Sequence, residues 1–254
     1  MKRKFILGLL LTTVISSLIS CDSSDKNSEF PIEKKYWTPE DYRTANSVLF
    51  SLNYNKTELP NLDNPKTILI VNKLVDTSNI AVVANDNQLG ITHREEFLKN
   101  MFQEYKELSS KYTSLDKQDK YQYPSELVKV LKFGLYLQVP YIQVGNEKII
   151  KESTNPNDAE TKRVVSSNQQ ILIKNYNIYL DQINYQDRFS DKAIVEYAQG
   201  IDEYFPKLIT QILPNGDFSE TLELVQNMLK KAKNPTLILE LQKVENLIIA
   251  KSKK

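Results

Sequence analysis

The chain has 254 residues, of which 41% are hydrophobic and 26% charged, with 33 Lys and Arg against 32 Asp and Glu. This hydrophobic fraction supports a packed core and excludes global disorder, and the near-zero net charge excludes the strongly basic surface typical of nucleic-acid binders. A single cysteine excludes an intrachain disulfide, and the scarcity of glycine, with six residues, disfavours tight β-hairpins and favours helices.

The N-terminus has the order of a secretion signal. Lys2, Arg3 and Lys4 supply positive charge, the run Phe5–Leu11 is almost wholly apolar, and small residues then lead to the only cysteine. The apolar run is diluted by Thr and Ser and is shorter than the ~20 residues that a membrane-spanning helix needs. We therefore predict a cleaved signal peptide over residues 1–20.

The stretch Leu18-Ile19-Ser20-Cys21 resembles the lipobox of bacterial lipoproteins. The resemblance implies cleavage between Ser20 and Cys21, a diacylglyceryl group on the Cys21 thiol and acylation of the new N-terminus by palmitate-type chains. Two or more acyl chains hold a protein stably on a bilayer. The implied location is the cell envelope, with the outer membrane of a diderm bacterium favoured and the periplasmic or surface side left open. A plain secretory signal, which would leave a free thiol, is the alternative.

The mature chain implied by this cleavage is close to neutral. It loses three basic residues, so that 33 minus 3, or 30, remain against 32 acidic ones. Residues 21–35 are rich in Ser, Asp, Lys and Asn and predict a flexible tether. The remaining residues, 36–254, predict a single helical domain.

Helix signals are clear in two places in the N-terminal half. Thr38-Pro39-Glu40-Asp41 combines an N-cap residue, a proline at the first helical position and acidic residues in the first turn. Thr92 and Glu95 have the spacing of a capping box and predict the start of a second helix. Its apolar stripe consists of Phe97, Met101, Tyr105, Leu108 and Tyr112.

Two apolar stretches leave helix and strand open. Residues 66–84 include the β-branched run Thr67–Val71, and residues 127–144 alternate like a strand but also fit a buried helix broken at Pro140. We predict a mainly α fold, an irregular multi-helix bundle of antiparallel helices. The alternative is an α+β fold with a small sheet from 66–84 and 127–144.

The C-terminal half predicts four helices. One carries apolar residues from Val165 to Ile183, and the next begins after Ser190 and should kink at Pro206. A third begins near Asp217, after a turn, and the last begins at Asn234-Pro235. The short connections predict antiparallel neighbours.

Residues for catalysis or metal binding are scarce. His93 is the only histidine, and the resemblance implies that the Cys21 thiol carries lipid. The sequence therefore offers no nucleophile–histidine pair whose members can be named, and too few ligands for a zinc site. Neighbouring acids such as Glu95-Glu96 and Asp202-Glu203 fit solvated helix faces. We predict no cofactor, no metal and no enzymatic activity.

Aromatic side chains are the remaining candidates for recognition. The chain has 14 tyrosines, and tyrosine and tryptophan are suited to interfaces because they combine large area with a polar tip. Tyr36 and Trp37 follow the tether, and Tyr121 and Tyr123 precede a proline. These four are the candidate binding residues, with the alternative that most such rings line the core.

The predicted function is non-catalytic: a protein-binding, adaptor or inhibitor-type lipoprotein with a partner in the envelope. The alternative is a lipoprotein that binds a glycan or small ligand in an aromatic groove. An enzyme that uses carboxylates alone is the third hypothesis. The first predicts an exposed apolar surface, the second a concave aromatic pocket and the third two converging carboxylates.

Overall fold

The structure, a computed structural model, describes residues 29–252; the predicted signal peptide, Cys21 and most of the predicted tether lie outside them. The fold is mainly α-helical, as predicted. Its α-helices are α1 (Pro39–Tyr54), α2 (Ile68–Leu74), α3 (Ser78–Ala84), α4 (Ile91–Lys111), α5 (Pro124–Glu152), α6 (Ala159–Asp181), α7 (Asp191–Lys207), α8 (Ser219–Leu229) and α9 (Pro235–Ser252). A 3-10 segment covers Gln182–Arg188, and a π-helical turn covers Leu208–Ile212.

The two ambiguous stretches are helical. Residues 66–84 form α2 and α3, and residues 127–144 lie inside α5. The strand alternative is therefore wrong, and within residues 29–252 no sheet forms, although an isolated bridge pairs Leu115 with Tyr121. Apolar side chains stand on more than one face of these helices, among them the exposed Leu69 and Val82, and short apolar runs of this kind do not separate helix from strand by periodicity.

Side-chain caps begin several of the helices at the predicted positions. Thr38 and Asp41 form a reciprocal capping box at α1, with Pro39 in the first turn. The Ser190 hydroxyl accepts a hydrogen bond from the Ala193 amide at α7, and the Asn234 side chain accepts from the first amides of α9. Each cap satisfies amide groups that the helix itself leaves without a partner.

The predicted capping box at Thr92 is wrong. Helix α4 begins at Ile91, two residues earlier than a Thr92 cap requires, with Gly90 as an N-cap residue that offers no side-chain hydrogen bond. Ile91 packs against the core, and this contact brings it into the first turn. Thr92 consequently lies inside the helix, where its hydroxyl no longer reaches the capping position.

Proline does not break α5. The helix runs on through Pro140 to Glu152, although Pro140 has no amide to donate to the Tyr136 carbonyl. Pro206 lies inside α7, and the chain continues from Lys207 into the π-helical turn. There the Leu213 amide donates to the Leu208 carbonyl at 2.8 Å. A kink was predicted at Pro206; what the structure shows is a widened turn that begins two residues after it.

Packed helix pairs in this fold are of two kinds, antiparallel and parallel. Helices α4 and α5 are antiparallel, with Arg94 beside Glu147 at one end and Tyr105 against Gly134 at the other. Helix α6 returns antiparallel to α5. In contrast, α1 and α4 run parallel, because Arg43 bonds to Glu104 while Asn53, further along α1, bonds to the Lys111 carbonyl. The predicted antiparallel arrangement therefore holds for α4–α6 but not for every packed pair.

The packed part of the chain begins before the predicted residue 36. Phe30 is buried, and the Trp37 indole N–H donates to the Pro31 carbonyl at 2.9 Å. The predicted tether is thus too long at its C-terminal end. Buried apolar side chains from Phe30 to Ile248 form one connected core.

Trp37 itself is only 1% exposed, so its prediction as a surface binding residue is wrong. Its ring packs edge-on against Tyr42 at 5.4 Å, and its backbone amide donates to Asn79 Oδ1 at 2.8 Å. Asn79 is fully buried and donates in turn to the Tyr42 hydroxyl. This polar cluster joins the start of the domain to α1 and α3.

Among the helices of residues 29–252, none combines the length and the apolar character needed to cross a membrane.

Candidate functional site

A long groove lies over α5 between α4 and α6, and we call it the α4–α6 groove. Its floor is one stripe of α5 with the alternating three- and four-residue spacing of a helix-packing face. The stripe consists of Leu131, Leu135, Gln138, Ile142, Gly145 and Ile149. From Leu131 to Ile149 a helix rises about 27 Å. The groove comprises two adjoining cavities of about 480 and 190 Å³, which share Phe102 and Asn175.

The walls of the groove are largely apolar and partly open to solvent. Helix α4 contributes Phe102, whose ring stacks on Tyr141 at 5.1 Å. Helix α6 contributes Ile171 and Ile178, which are 45% and 59% exposed. Two exposed isoleucines seven residues apart lie on one helix face. They extend the apolar surface from the groove onto its rim.

Gly145 leaves a hole in the floor. A Cβ atom placed there would meet no other atom within 4 Å, and its φ angle is not positive. Neither crowding nor backbone geometry therefore requires glycine at this position, although glycine within a helix costs about 1 kcal/mol relative to alanine. The gap is open to a side chain from outside the described residues.

Gln138 brings a polar group into the other half of the groove. The residue is 6% exposed, and its Oε1 atom has no hydrogen-bond donor among residues 29–252. A buried acceptor without a partner costs roughly 1–3 kcal/mol. A ligand in the groove that supplied one donor here would remove that cost.

Charges mark the two ends of the groove. At one end Lys148 pairs with Glu95 at 3.3 Å, and Glu152 lies nearby with no ion-pair partner among residues 29–252. At the other end the Lys106 ammonium lies 4.9 Å from the Phe102 ring centre. Burial, and then the Glu95 carboxylate, raise the pKa of the Tyr141 phenol above its ordinary value. The unpaired charges are thus acidic at one end and basic at the other.

A second cavity, of about 560 Å³, lies on the opposite side of α5, between α5, α7 and the end of α3. We call it the α5–α7 pocket. Its apolar lining includes Val75, Ala84, Phe133, Val139, Pro140 and Ile212. The rings of Tyr136, Tyr176 and Tyr204 also line it. A concave, aromatic-walled cavity of this size falls within the range of small-molecule sites.

Three lysines and one carboxylate from the described residues line the α5–α7 pocket. Lys132 pairs with Glu203 at 3.1 Å. Burial, then the charge and hydrogen bond of Glu203, raise the pKa of the Tyr204 phenol well above its usual value. The Glu203 carboxylate therefore already has an ammonium and a phenol as partners.

The remaining predicted residues do not form one aromatic patch. The Tyr123 hydroxyl accepts from the Leu59 amide at 3.0 Å, and Tyr121 packs on Phe189 at 4.8 Å. Both lie partly buried against the core. Tyr36 is 37% exposed, with Lys35 over its ring. Most of the rings thus take the core-lining role that was the stated alternative.

A strongly exposed aromatic pair on α1 was not predicted from the sequence. Phe50 and Tyr54 on α1 are 60% and 79% exposed, and their rings stack at 6.5 Å. Their four-residue spacing on a helix was a usable signal.

His93, the only histidine, is exposed near the start of α4. Residues 29–252 contain no group of three or more potential ligands that could hold a metal ion.

Comparisons with family models, with curated proteins and with solved structures find no match for this chain.

Proposed function

We propose that this protein is a lipid-anchored, non-catalytic lipoprotein of the cell envelope that binds a partner protein by accepting an amphipathic helix in the α4–α6 groove. The observation that carries the proposal is the heptad-like stripe on α5, which lines both cavities of the groove and in which Leu131, Ile142, Gly145 and Ile149 are partly exposed. Such a stripe is the surface on which another helix normally packs. The lipobox resemblance supports the anchor through Cys21.

The charges of the groove also favour one direction for the proposed partner helix. A helix carries partial positive charge at its N-terminus and partial negative charge at its C-terminus. Its N-terminus is therefore favoured beside Glu152 and its C-terminus beside Lys106. This orientation is antiparallel to α5. We expect a side chain to enter the space above Gly145 and a hydrogen-bond donor to reach Gln138.

Site-specific photo-crosslinking tests the proposal. A benzophenone amino acid replaces Ile171 or, separately, Ile178, and the protein is irradiated in its own envelope. Both positions should label one segment of one protein, with apolar residues every three to four positions. The Ile171 site should label a position nearer the N-terminus of that segment than the Ile178 site.

A matched position controls for general surface contact. Leu239 on α9 is 51% exposed, similar to Ile171, and does not line the groove. Equal labelling from position 239, labelling of a second copy of this chain, or a labelled segment without helical apolar spacing would contradict the proposal.

A further inference from the structure

The α5–α7 pocket lies across α5 from the α4–α6 groove and has a different character. We propose that it binds a small organic anion with a flat, apolar body, independently of the partner helix. The occupant is defined by chemistry: an aromatic or cyclic hydrocarbon part bearing a carboxylate, sulfate or phosphate. Three observations support this class of ligand: the excess of lysine, the apolar and aromatic walls, and the helix irregularities at the rim.

The lysines leave an uncompensated positive charge at the pocket. Lys132 is neutralised by Glu203 at 3.1 Å. Lys129 is half-buried and has no ion-pair partner among residues 29–252. Lys207 also lacks a carboxylate partner there, and its ammonium lies 5.8 Å from the Tyr204 ring centre. Two ammonium groups beside low-polarity walls favour an anion over a cation or a neutral sugar.

The walls favour a flat apolar body. Tyr136 and Tyr204 bring aromatic rings, and Val139 and Pro140 on α5 and Ile212 beyond α7 bring aliphatic surface. Aromatic rings gain from stacking on other flat groups beyond the area they bury. The Tyr176 hydroxyl already donates to the Leu135 carbonyl at 3.1 Å, so this ring offers mainly its apolar surface.

Departures from regular helix geometry gather around the pocket. Pro140 interrupts the hydrogen bonding of α5, Pro206 does so in α7, and the π-helical turn follows directly. A proline inside a helix costs about 3 kcal/mol, and π-turns are frequent at functional sites. Lys207 and Ile212, which flank and end the π-turn, both line the pocket. The irregular backbone thus places one charged and one apolar group at the site.

A pair of fluorescent probes that differ in charge tests the inference. Anilinonaphthalene sulfonate is an aromatic anion, and phenylnaphthylamine has nearly the same rings without the sulfonate. Titration of the folded protein should show one saturable site for the anion. Lys129→Gln and Lys207→Gln should each raise its dissociation constant about fivefold or more. The affinity for the neutral probe should stay within about twofold, because the walls are unchanged.

Two further variants locate the site. Val139→Phe adds volume to the pocket and should weaken both probes, whereas Lys192→Gln, on the exposed first turn of α7, should change neither. Melting temperatures of all variants establish that they are folded. The inference is overturned by absence of saturable anion binding, by unchanged anion affinity in both lysine variants, or by equal binding to the Val139→Phe protein. None of these outcomes bears on the crosslinks from Ile171 and Ile178.

Discussion

Tyr179 and Tyr197 exchange hydrogen bonds across the junction of α6 and α7. The Tyr179 hydroxyl donates to the Tyr197 carbonyl at 2.9 Å, and the Tyr197 hydroxyl donates to the Tyr179 carbonyl at 2.7 Å. The rings stack at 4.6 Å, and burial raises the pKa of both phenols well above the usual value. Both phenols are therefore protonated donors at neutral pH.

This exchange predicts that each of the two hydroxyls contributes to stability. Tyr197→Phe removes the donor to the Tyr179 carbonyl and to the Leu180 carbonyl at 3.1 Å. It should lower the free energy of unfolding by roughly 1–2 kcal/mol, because a buried hydrogen bond is lost, although the Gln182 amide still donates to both carbonyls. Denaturant unfolding measures this change. Tyr54→Phe, on a residue 79% exposed, is the control and should change stability by less than about 0.5 kcal/mol. Tyr179→Phe removes the other donor, to the Tyr197 carbonyl, and should lower the free energy of unfolding by a similar amount. Unchanged stability of both Phe variants would contradict the exchange.

Replacement of each of two α5 glycines by alanine should change the stability of the protein in opposite directions. At Gly134 a Cβ atom would overlap the Tyr105 ring, whereas at Gly145 it would meet nothing. We expect Gly134→Ala to destabilise the protein by about 1–2 kcal/mol and Gly145→Ala to stabilise it by up to about 1 kcal/mol. Thermal or denaturant unfolding of the two variants decides this. If both variants were stabilised, or both destabilised, the difference in free space around Gly134 and Gly145 would be contradicted.

Acid should remove the contribution of Asp41 to stability. Burial alone would raise the pKa of this carboxyl, but hydrogen bonds from Lys34 and Thr38 outweigh it and hold the pKa below its ordinary value of 3.8. The Lys34 ammonium lies 2.6 Å from Asp41 Oδ1. The folded state therefore binds a proton at Asp41 less readily than the unfolded state does. The stabilisation by the ionised Asp41 carboxylate is complete above the ordinary pKa of 3.8 and is lost as the pH falls through the lowered pKa of the folded state.

We therefore expect Asp41→Asn to be less stable than the wild type by roughly 1 kcal/mol at neutral pH. The difference should shrink as pH falls below about 4. Denaturant unfolding of the wild type and of the Asp41→Asn variant between neutral and acid pH measures this difference in stability. A difference independent of pH would mean that the charge of Asp41 contributes nothing to the capping box.

The proposed anchor makes its own prediction. Cys21→Ala removes the thiol that would carry the diacylglyceryl group. The variant should incorporate no labelled fatty acid and should accumulate as an uncleaved or mislocalised precursor. Metabolic labelling and membrane fractionation measure both properties. Cys21→Ser is a matched control, since it keeps the size of the side chain and should fail in the same way; continued labelling of either variant would refute the anchor.

The helices were predictable where a local side chain decides the structure. Thr38, Ser190 and Asn234 cap their own helices through atoms two or three residues away. The error at Thr92 has the opposite origin, because the first residue of α4, Ile91, packs against core residues that are distant in sequence. Likewise, α5 continues through Pro140 within a 29-residue helix whose side chains pack against α4, α6 and α7, and tertiary packing of this kind overrides local propensity.

The candidate sites were less predictable than the fold. The spacing from Leu131 to Ile149 was present in the sequence, but whether α4 and α6 cover that stripe or leave it open depends on how the helices pack. Trp37 was misplaced for a related reason, since its partner Asn79 lies 42 residues away. Exposure is decided by tertiary contacts, whereas periodicity shows only that a face is apolar.

The affinity of the crosslinked partner segment, made as a synthetic peptide, tests the helix-accepting groove most directly. Its dissociation constant is measured for the wild type, for Gly145→Trp, which fills the open space in the floor, and for the exposed control Leu239→Trp. We predict saturable binding to the wild type, with helical circular dichroism induced in the peptide, no change for the control and at least about tenfold weaker binding to Gly145→Trp. Undiminished binding to a folded Gly145→Trp protein would contradict the groove as the binding site.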